Sequence, residues 1–109
     1  MTAMFEVLAE EHRRRILDLL VEDERPVGDL VGVLSLSQPS VSKHLKVLRD
    51  AGLVESRTEA QRRIYSVRAE PLREVDEWLA PYRRRWASHL TALERQLEIM
   101  DEAGGDSWE

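Results

Sequence analysis

No cysteine occurs among the 109 residues. That absence excludes disulfides, thiolate metal ligands and thiol redox sensing together. No apolar run approaches the roughly 20 residues of a membrane span, and Arg13-Arg14-Arg15 interrupts the N-terminus before a signal-peptide core forms. A glycine-rich phosphate loop is missing, as are internal repeats and low-complexity segments. The three histidines, His12, His44 and His89, are far apart in sequence without a partner motif, and the serines cluster in one short segment. The reading is of a cytoplasmic protein that is not an enzyme and carries no cofactor. A chain of this length buries roughly 65% of its unfolded surface, so further burial in an oligomer would add stability.

What is present centres on residues 34–54. Ser37 is a good helix N-cap, because its hydroxyl accepts from orphan amides of the first turn. Pro39 falls in that turn, where a missing N–H costs no hydrogen bond. Val41, Leu45 and Leu48 follow at helical spacing as one apolar stripe, and Gly52 stops the helix. Ser40, Lys43, Lys46 and Val47 point away from the stripe. A short helix with a thin apolar seam and a small, cationic outer face suits a DNA major groove. The plainer alternative is an amphipathic surface helix.

The flanking residues favour DNA. Val27, Leu30, Val31 and Leu34 mark a preceding helix opened by Pro26, and only Ser35 and Leu36 separate it from the Ser37 cap. Two short helices joined so tightly make a helix-turn-helix. Downstream, residues 53–57 and 62–67 are rich in β-formers and flank Thr58-Glu59-Ala60-Gln61, which predicts a two-stranded hairpin. A hairpin directly after a recognition helix is a wing. Arg57, Arg62 and Arg63 are expected at its tip for phosphate or minor-groove contacts.

Net charge is −5, against the basic balance usual for nucleic-acid binding. The charge is segregated, however. Residues 37–68 hold seven Lys/Arg and three Asp/Glu, a balance of +4, and the remainder carries −9. An acidic body behind a basic face orients that face towards DNA.

Two helices precede this core, one around Met4, Phe5 and Leu8 and one over residues 11–21, with Ile16, Leu17, Leu20 and Val21 expected inward. The arginine triplet is either a clamp on backbone groups or solvated helix charge. A long helix opened by Pro71 ends the chain. Along it Leu72, Val75, Leu79, Tyr82, Trp86, Leu90, Leu93, Leu97 and Met100 step by three and four as a heptad-like seam. Such a stripe exceeds what one small core covers, so a second copy is expected against it. Pro81 interrupts the pattern and predicts a kink. Tyr82 and Trp86 either wall a cavity or fill a dimer core.

The order helix, helix, Pro26-Val27-Gly28-Asp29-Leu30, then Leu36-Ser37-Gln38-Pro39-Ser40-Val41-Ser42-Lys43-His44-Leu45, Leu48, Ala51-Gly52-Leu53-Val54, Arg62-Arg63 and Tyr65 resembles the ArsR family of winged-helix repressors over nearly the whole chain. The resemblance implies a homodimer built from the first and last helices, which binds an imperfect inverted repeat and represses transcription. It also implies that Gln38, Ser40, Ser42, Lys43 and His44 meet the DNA. Helical geometry agrees for Ser40 and Lys43, and sets Ser42 and His44 on the flanks.

Two departures from the family pattern bear on metals. Metal-sensing members carry a Cys-x-Cys pair where this chain has Pro26-Val27-Gly28. Another family site joins the last helices of two subunits through Asp-x-His and His-x-x-His or Glu. Here Asp76 and His89 keep the separation, but Trp78 and Ala92 fill the other positions. Two ligands fall short of the four that zinc takes. The chain is closer to the non-metal, SdpR-like members, which are relieved by a small organic ligand or a partner protein, or act constitutively.

The expectation is thus a mainly α winged helix-turn-helix of about five helices with a two-stranded wing, forming one domain over residues 1–101. Its recognition helix covers about 38–51, its wing about 54–67, its dimerisation helix about 71–101, and an acidic flexible tail follows over 102–109. DNA contacts are assigned to Gln38, Ser40, Ser42, Lys43, His44, Lys46, Arg57, Arg62 and Arg63. The dimer interface is assigned to Phe5, Leu79, Tyr82, Trp86, Leu90, Leu93 and Leu97. Partners are double-stranded DNA, a second copy and an inducer of the kinds just named, with no membrane. The alternatives are a winged helix used as a protein-interaction module and a metal-responsive repressor with a non-standard site.

Overall fold

Glu10 opens the second helix by accepting from the Arg13 amide at 3.1 Å, the job an N-cap side chain does. The computed structural model describes residues 2–104, with α1 (Thr2–Leu8) and α2 (Glu11–Glu22) first in order. Ile16, Leu17 and Leu20 turn α2's apolar side into the core. Val21 corrects the expectation, being 70% exposed. One residue on, it lies about 100° round the helix from Leu20, at the last turn.

A two-residue strand, β1 (Arg25–Pro26), leads into α3 (Val27–Leu34), which buries Leu30 and Leu34. Ser35 ends α3 in the left-handed region at φ 55°, its amide bonded to the Val31 carbonyl at 3.1 Å. Two residues later Ser37 caps α4 (Gln38–Asp50), accepting from the Ser40 amide at 3.3 Å. Val41, Leu45 and Leu48 are buried, so the stripe read from sequence is the packed face. Val47, expected outward, is half-buried.

Gly52 terminates α4 at φ 78°. Its amide reaches the Arg49 carbonyl and the Leu53 amide reaches the Leu48 carbonyl, both at 2.9 Å, which is the paired closure of a Schellman motif. Leu53 and Val54, both buried, then start the hairpin of β2 (Val54–Glu59) and β3 (Arg62–Val67).

The sheet has three strands rather than two, in the order β1-β3-β2 and antiparallel throughout. Arg25 pairs with Tyr65 and Pro26 with Ile64, so the linker before α3 is stitched to the wing. A two-residue strand containing proline has no alternation to read, which is why the sequence did not reveal it. Ile16, Leu30, Leu45, Leu48, Leu53 and Tyr65 belong to one core cluster that joins α2, α3, α4 and the hairpin.

The chain divides into two units, residues 1–75 and 76–109. The first holds the helix-turn-helix, the wing and a 3-10 turn at Glu70–Leu72. The second continues α5 (Arg73–Gly104), which includes Pro81. A proline has no amide proton for the Glu77 carbonyl, yet the helix runs on through it. Helix also extends through residues 102–104, where a flexible tail was expected, because no breaker precedes Gly104. The rest of that expected tail, 105–109, lies outside the described residues.

Candidate nucleic-acid interface

The recognition helix α4 carries no acidic residue in its first turn, so the positive end of its dipole is not neutralised by a side chain. Gln38, Ser42, Lys43 and Lys46 are exposed along it, and Ser40 is half-buried. Among the described residues, Lys43 and Lys46 form no ion pair, nor do Arg62 and Arg63 on the wing. A cleft of about 400 Å³ joins the two elements, lined by Gln38 and Ser42 of α4, Arg62, Arg63 and Tyr65 of β3, and Pro26, Val27 and Gly28. Ser42, set on the helix flank by geometry alone, therefore shares a surface with the wing arginines.

The hairpin turns on Ala60 and Gln61, both left-handed at φ 49° and 69°. Paired left-handed residues are the geometry of a two-residue turn that matches strand twist. Arg62 pairs with Glu59 beside this turn, and Arg63 pairs with Thr58. Arg57 is not at the tip. It lies opposite Ile64, and its guanidinium is held by Glu24 through two hydrogen bonds of 2.6 Å and by Glu59 at 3.0 Å. Those hydrogen bonds raise its pKa further and hold the Glu24 carboxyl below its ordinary value. Arg57 is thus a brace from the α2–β1 linker to the wing, where the sequence pattern alone suggested a DNA contact. Arg68, the last cation of the basic stretch, is paired with Glu70 at 2.7 Å.

His44 also departs from its expected place. Its side chain is only 17% exposed and faces the start of α2, with Nδ1 3.8 Å from Glu10 Oε2. His12 meets the same carboxylate from the other side, Nδ1 to Oε1 at 3.0 Å, and the two imidazoles stack with centroids 5.7 Å apart. Burial works to raise the Glu10 pKa, but hydrogen bonds from His12 and the Arg13 amide and the nearby histidine charges hold it below its ordinary value. Sequence spacing had no signal for this cluster, since it depends on α4 crossing the N-terminus of α2.

Arg13 and Arg14 of the arginine triplet clamp the protein's own backbone. Arg13 donates to the Val7 and Glu6 carbonyls at 2.7 and 3.1 Å, and Arg14 to those of Leu8 and Ala9 at 2.8 and 3.0 Å. Three of these bonds go to the last carbonyls of α1 and the fourth to Ala9 just beyond it, the end at which helix carbonyls run short of intrahelical donors. Along α5, Tyr82, Trp86, Leu90, Leu93 and Leu97 are exposed and Leu79 is half-buried; Phe5 on α1 is 38% exposed. Asp76 accepts from Arg83 at 2.7 Å. With 1.5 Å of rise per residue, His89 lies about 20 Å further along the same helix. No helix among the described residues is long and apolar enough to cross a membrane.

Comparison with known proteins bears on this arrangement. A family model described as bacterial regulatory protein, arsR family, matches residues 10–56, from the Glu10 cap into the wing. The transcriptional activator HlyU of Vibrio cholerae is 38% identical over 76 residues, covering 70% of each chain. The transcriptional repressor SdpR of Bacillus subtilis is 30% identical over 79 residues, 72% of this chain and 88% of that one. Among solved structures, an ArsR family transcriptional regulator superposes with a TM-score of 0.67 at 29% identity, covering 80% of this chain and 90% of its own.

Proposed function

Because the chain belongs to the arsR family of bacterial regulatory proteins and is a DNA-binding transcriptional regulator, we propose that it is a homodimeric repressor of an inverted-repeat operator. The observation that carries this reading is the cleft shared by Gln38 and Ser42 of α4 with Arg62 and Arg63 of the wing, flanked by exposed Lys43 and Lys46. Small side chains at Ser40 and Ser42 let the helix approach base edges. Lys43 and Lys46 supply phosphate contacts, and the wing arginines reach the adjacent backbone or minor groove. His44 supports α4 from behind, and Arg57 contributes by fixing the wing.

The seam of α5, from half-buried Leu79 through exposed Tyr82, Trp86, Leu90 and Leu93 to Leu97, is the surface a second copy covers, and Phe5 is the α1 residue assigned to the dimer. Two recognition helices in one dimer then read half-sites about one helical turn, roughly 34 Å, apart. Of the family's two metal sites, the cysteine pair is lacking because the chain has no cysteine, and the Asp76–His89 pair lacks its partner ligands. The chain, in the cytoplasm, is relieved by a small organic ligand or a partner protein, or represses constitutively.

Fluorescence anisotropy of a labelled operator duplex across a salt series tests the reading. Lys43, Lys46, Arg62 and Arg63 of each protomer, taken as the phosphate contacts, give a slope no steeper than about −7 in log K against log salt, with clear discrimination against scrambled sequence. Salt-insensitive or sequence-blind binding would overturn it.

A further inference from the structure

The α2 N-terminus and the middle of α4 bring together three metal-ligating groups that DNA binding does not use. We infer that Glu10, His12 and His44 bind one divalent transition-metal ion per chain, of the zinc, cobalt or nickel class, at the junction of α2 and α4. One candidate ligand atom from each residue lies within 4.8 Å of the others, and all three residues are half-buried. Glu10 Oε1 to His12 Nδ1 is 3.0 Å and Glu10 Oε2 to His44 Nδ1 is 3.8 Å. Metal–nitrogen and metal–oxygen bonds of about 2.0–2.2 Å in a tetrahedral site separate neighbouring ligands by about 3.4 Å. The two spacings, one to each Glu10 oxygen, bracket that value, so rotamer adjustment of the three side chains brings their ligand atoms onto one ion.

The donor set suits the ion class. Two imidazoles and one carboxylate match zinc, nickel and cobalt better than magnesium or calcium, which prefer all-oxygen shells. Three protein ligands leave the fourth position to water. The Arg13 amide, bonded to Glu10 Oε2 at 3.1 Å, orients the carboxylate as an outer partner does in metal sites. Ionised Glu10 stands between the cation and the positive end of α2, offsetting the dipole's repulsion. The neighbouring guanidinium of Arg13 is turned away onto α1 carbonyls. The site uses none of residues 26–28, where metal-sensing members carry their cysteines, and neither Asp76 nor His89. It ties the recognition helix to the N-terminus of α2.

The chain has only three histidines, so the test can be made on the unaltered protein without DNA. Imidazole NMR signals are followed while zinc chloride is added to the chelator-treated chain. The expected result is saturation at one zinc per chain, with the His12 and His44 signals shifting and the His89 signal unmoved. A His12→Ala variant, checked for its fold by circular dichroism, assigns one signal. It is expected to weaken zinc binding by more than the roughly 10- to 100-fold that loss of an outer partner costs. No shift, a shift of His89 alone, or undiminished affinity in folded His12→Ala would overturn the proposal. The operator-binding reading is measured separately on chelator-treated protein and stands or falls without this result.

Discussion

Arg57 on β2 grips Glu24 in the α2–β1 linker through two parallel hydrogen bonds, each 2.6 Å, across 33 residues of sequence. The fork-to-carboxylate geometry is the strong form of the ion pair. With the β1–β3 pairing beside it, the wing is held to the body midway along its length, while among the described residues Arg62 and Arg63 near the turn form no ion pair. A wing fixed at its middle positions its tip for a second point of contact with the duplex.

That pair sets an acid limit. Arg57 holds the Glu24 carboxyl below its ordinary value of 4.5, with burial opposing only in part. Its stabilisation is complete above that value and is lost as pH falls through the lower folded-state pKa. Glu10, lowered by His12 and the Arg13 amide against the opposing effect of burial, adds loss in the same direction. Urea unfolding between pH 6 and 3 is expected to show falling stability in the parent chain and a shallower fall in Glu24→Gln. Equal slopes would sink this assignment.

The wing turn carries a removable strain. Ala60 and Gln61 both occupy the left-handed region, which costs an L-residue roughly 1–2 kcal/mol. Gln61→Gly is expected to stabilise the chain by about 0.5–1 kcal/mol after glycine's own entropy cost. A rise in the urea midpoint at constant slope checks it, and a lower midpoint would contradict it.

Two single substitutions separate the DNA face from the dimer face. Lys43→Ala and Arg62→Ala should each weaken operator binding and make the salt slope shallower by about 1 for every phosphate left without its cation. Dimer mass in analytical ultracentrifugation should not change. A shift to monomer would show that these residues lie on the wrong face.

Trp86→Asp is the converse. A buried aromatic removes about 150–250 Å² from water, and a carboxylate at that place is repelled from an apolar seam. Monomer mass and loss of operator affinity, through uncoupled half-sites, are expected. A fully active Trp86→Asp protein would refute the assignment of the α5 stripe.

How much of this was legible follows from the range of each signal. Ser37, Pro39 and Gly52 act within a turn of where they stand, so the cap, first turn and stop of α4 could be read from the sequence. The Val41, Leu45, Leu48 stripe was equally readable, because period alone defines it. The β1 strand was hidden because it exists only beside β3. The Arg57–Glu24 brace and the His12–Glu10–His44 cluster were hidden for the same reason, as each depends on residues from different elements. Arg13 and Arg14 were ambiguous because a backbone clamp and solvated charge share one sequence, and the α1 carbonyls they hold come from a different element. The turn was misjudged in detail, since Ala60-Gln61 lacks the Asn-Gly signature that announces such geometry.

The most direct test of the central claim is selection of bound fragments from a genomic DNA library by the purified, chelator-treated protein. Recovery of a common inverted repeat, with half-sites about one helical turn apart, is the predicted result. A library recovered at background, from protein that is folded and dimeric, would contradict the reading of α4 and the wing as an operator-binding surface.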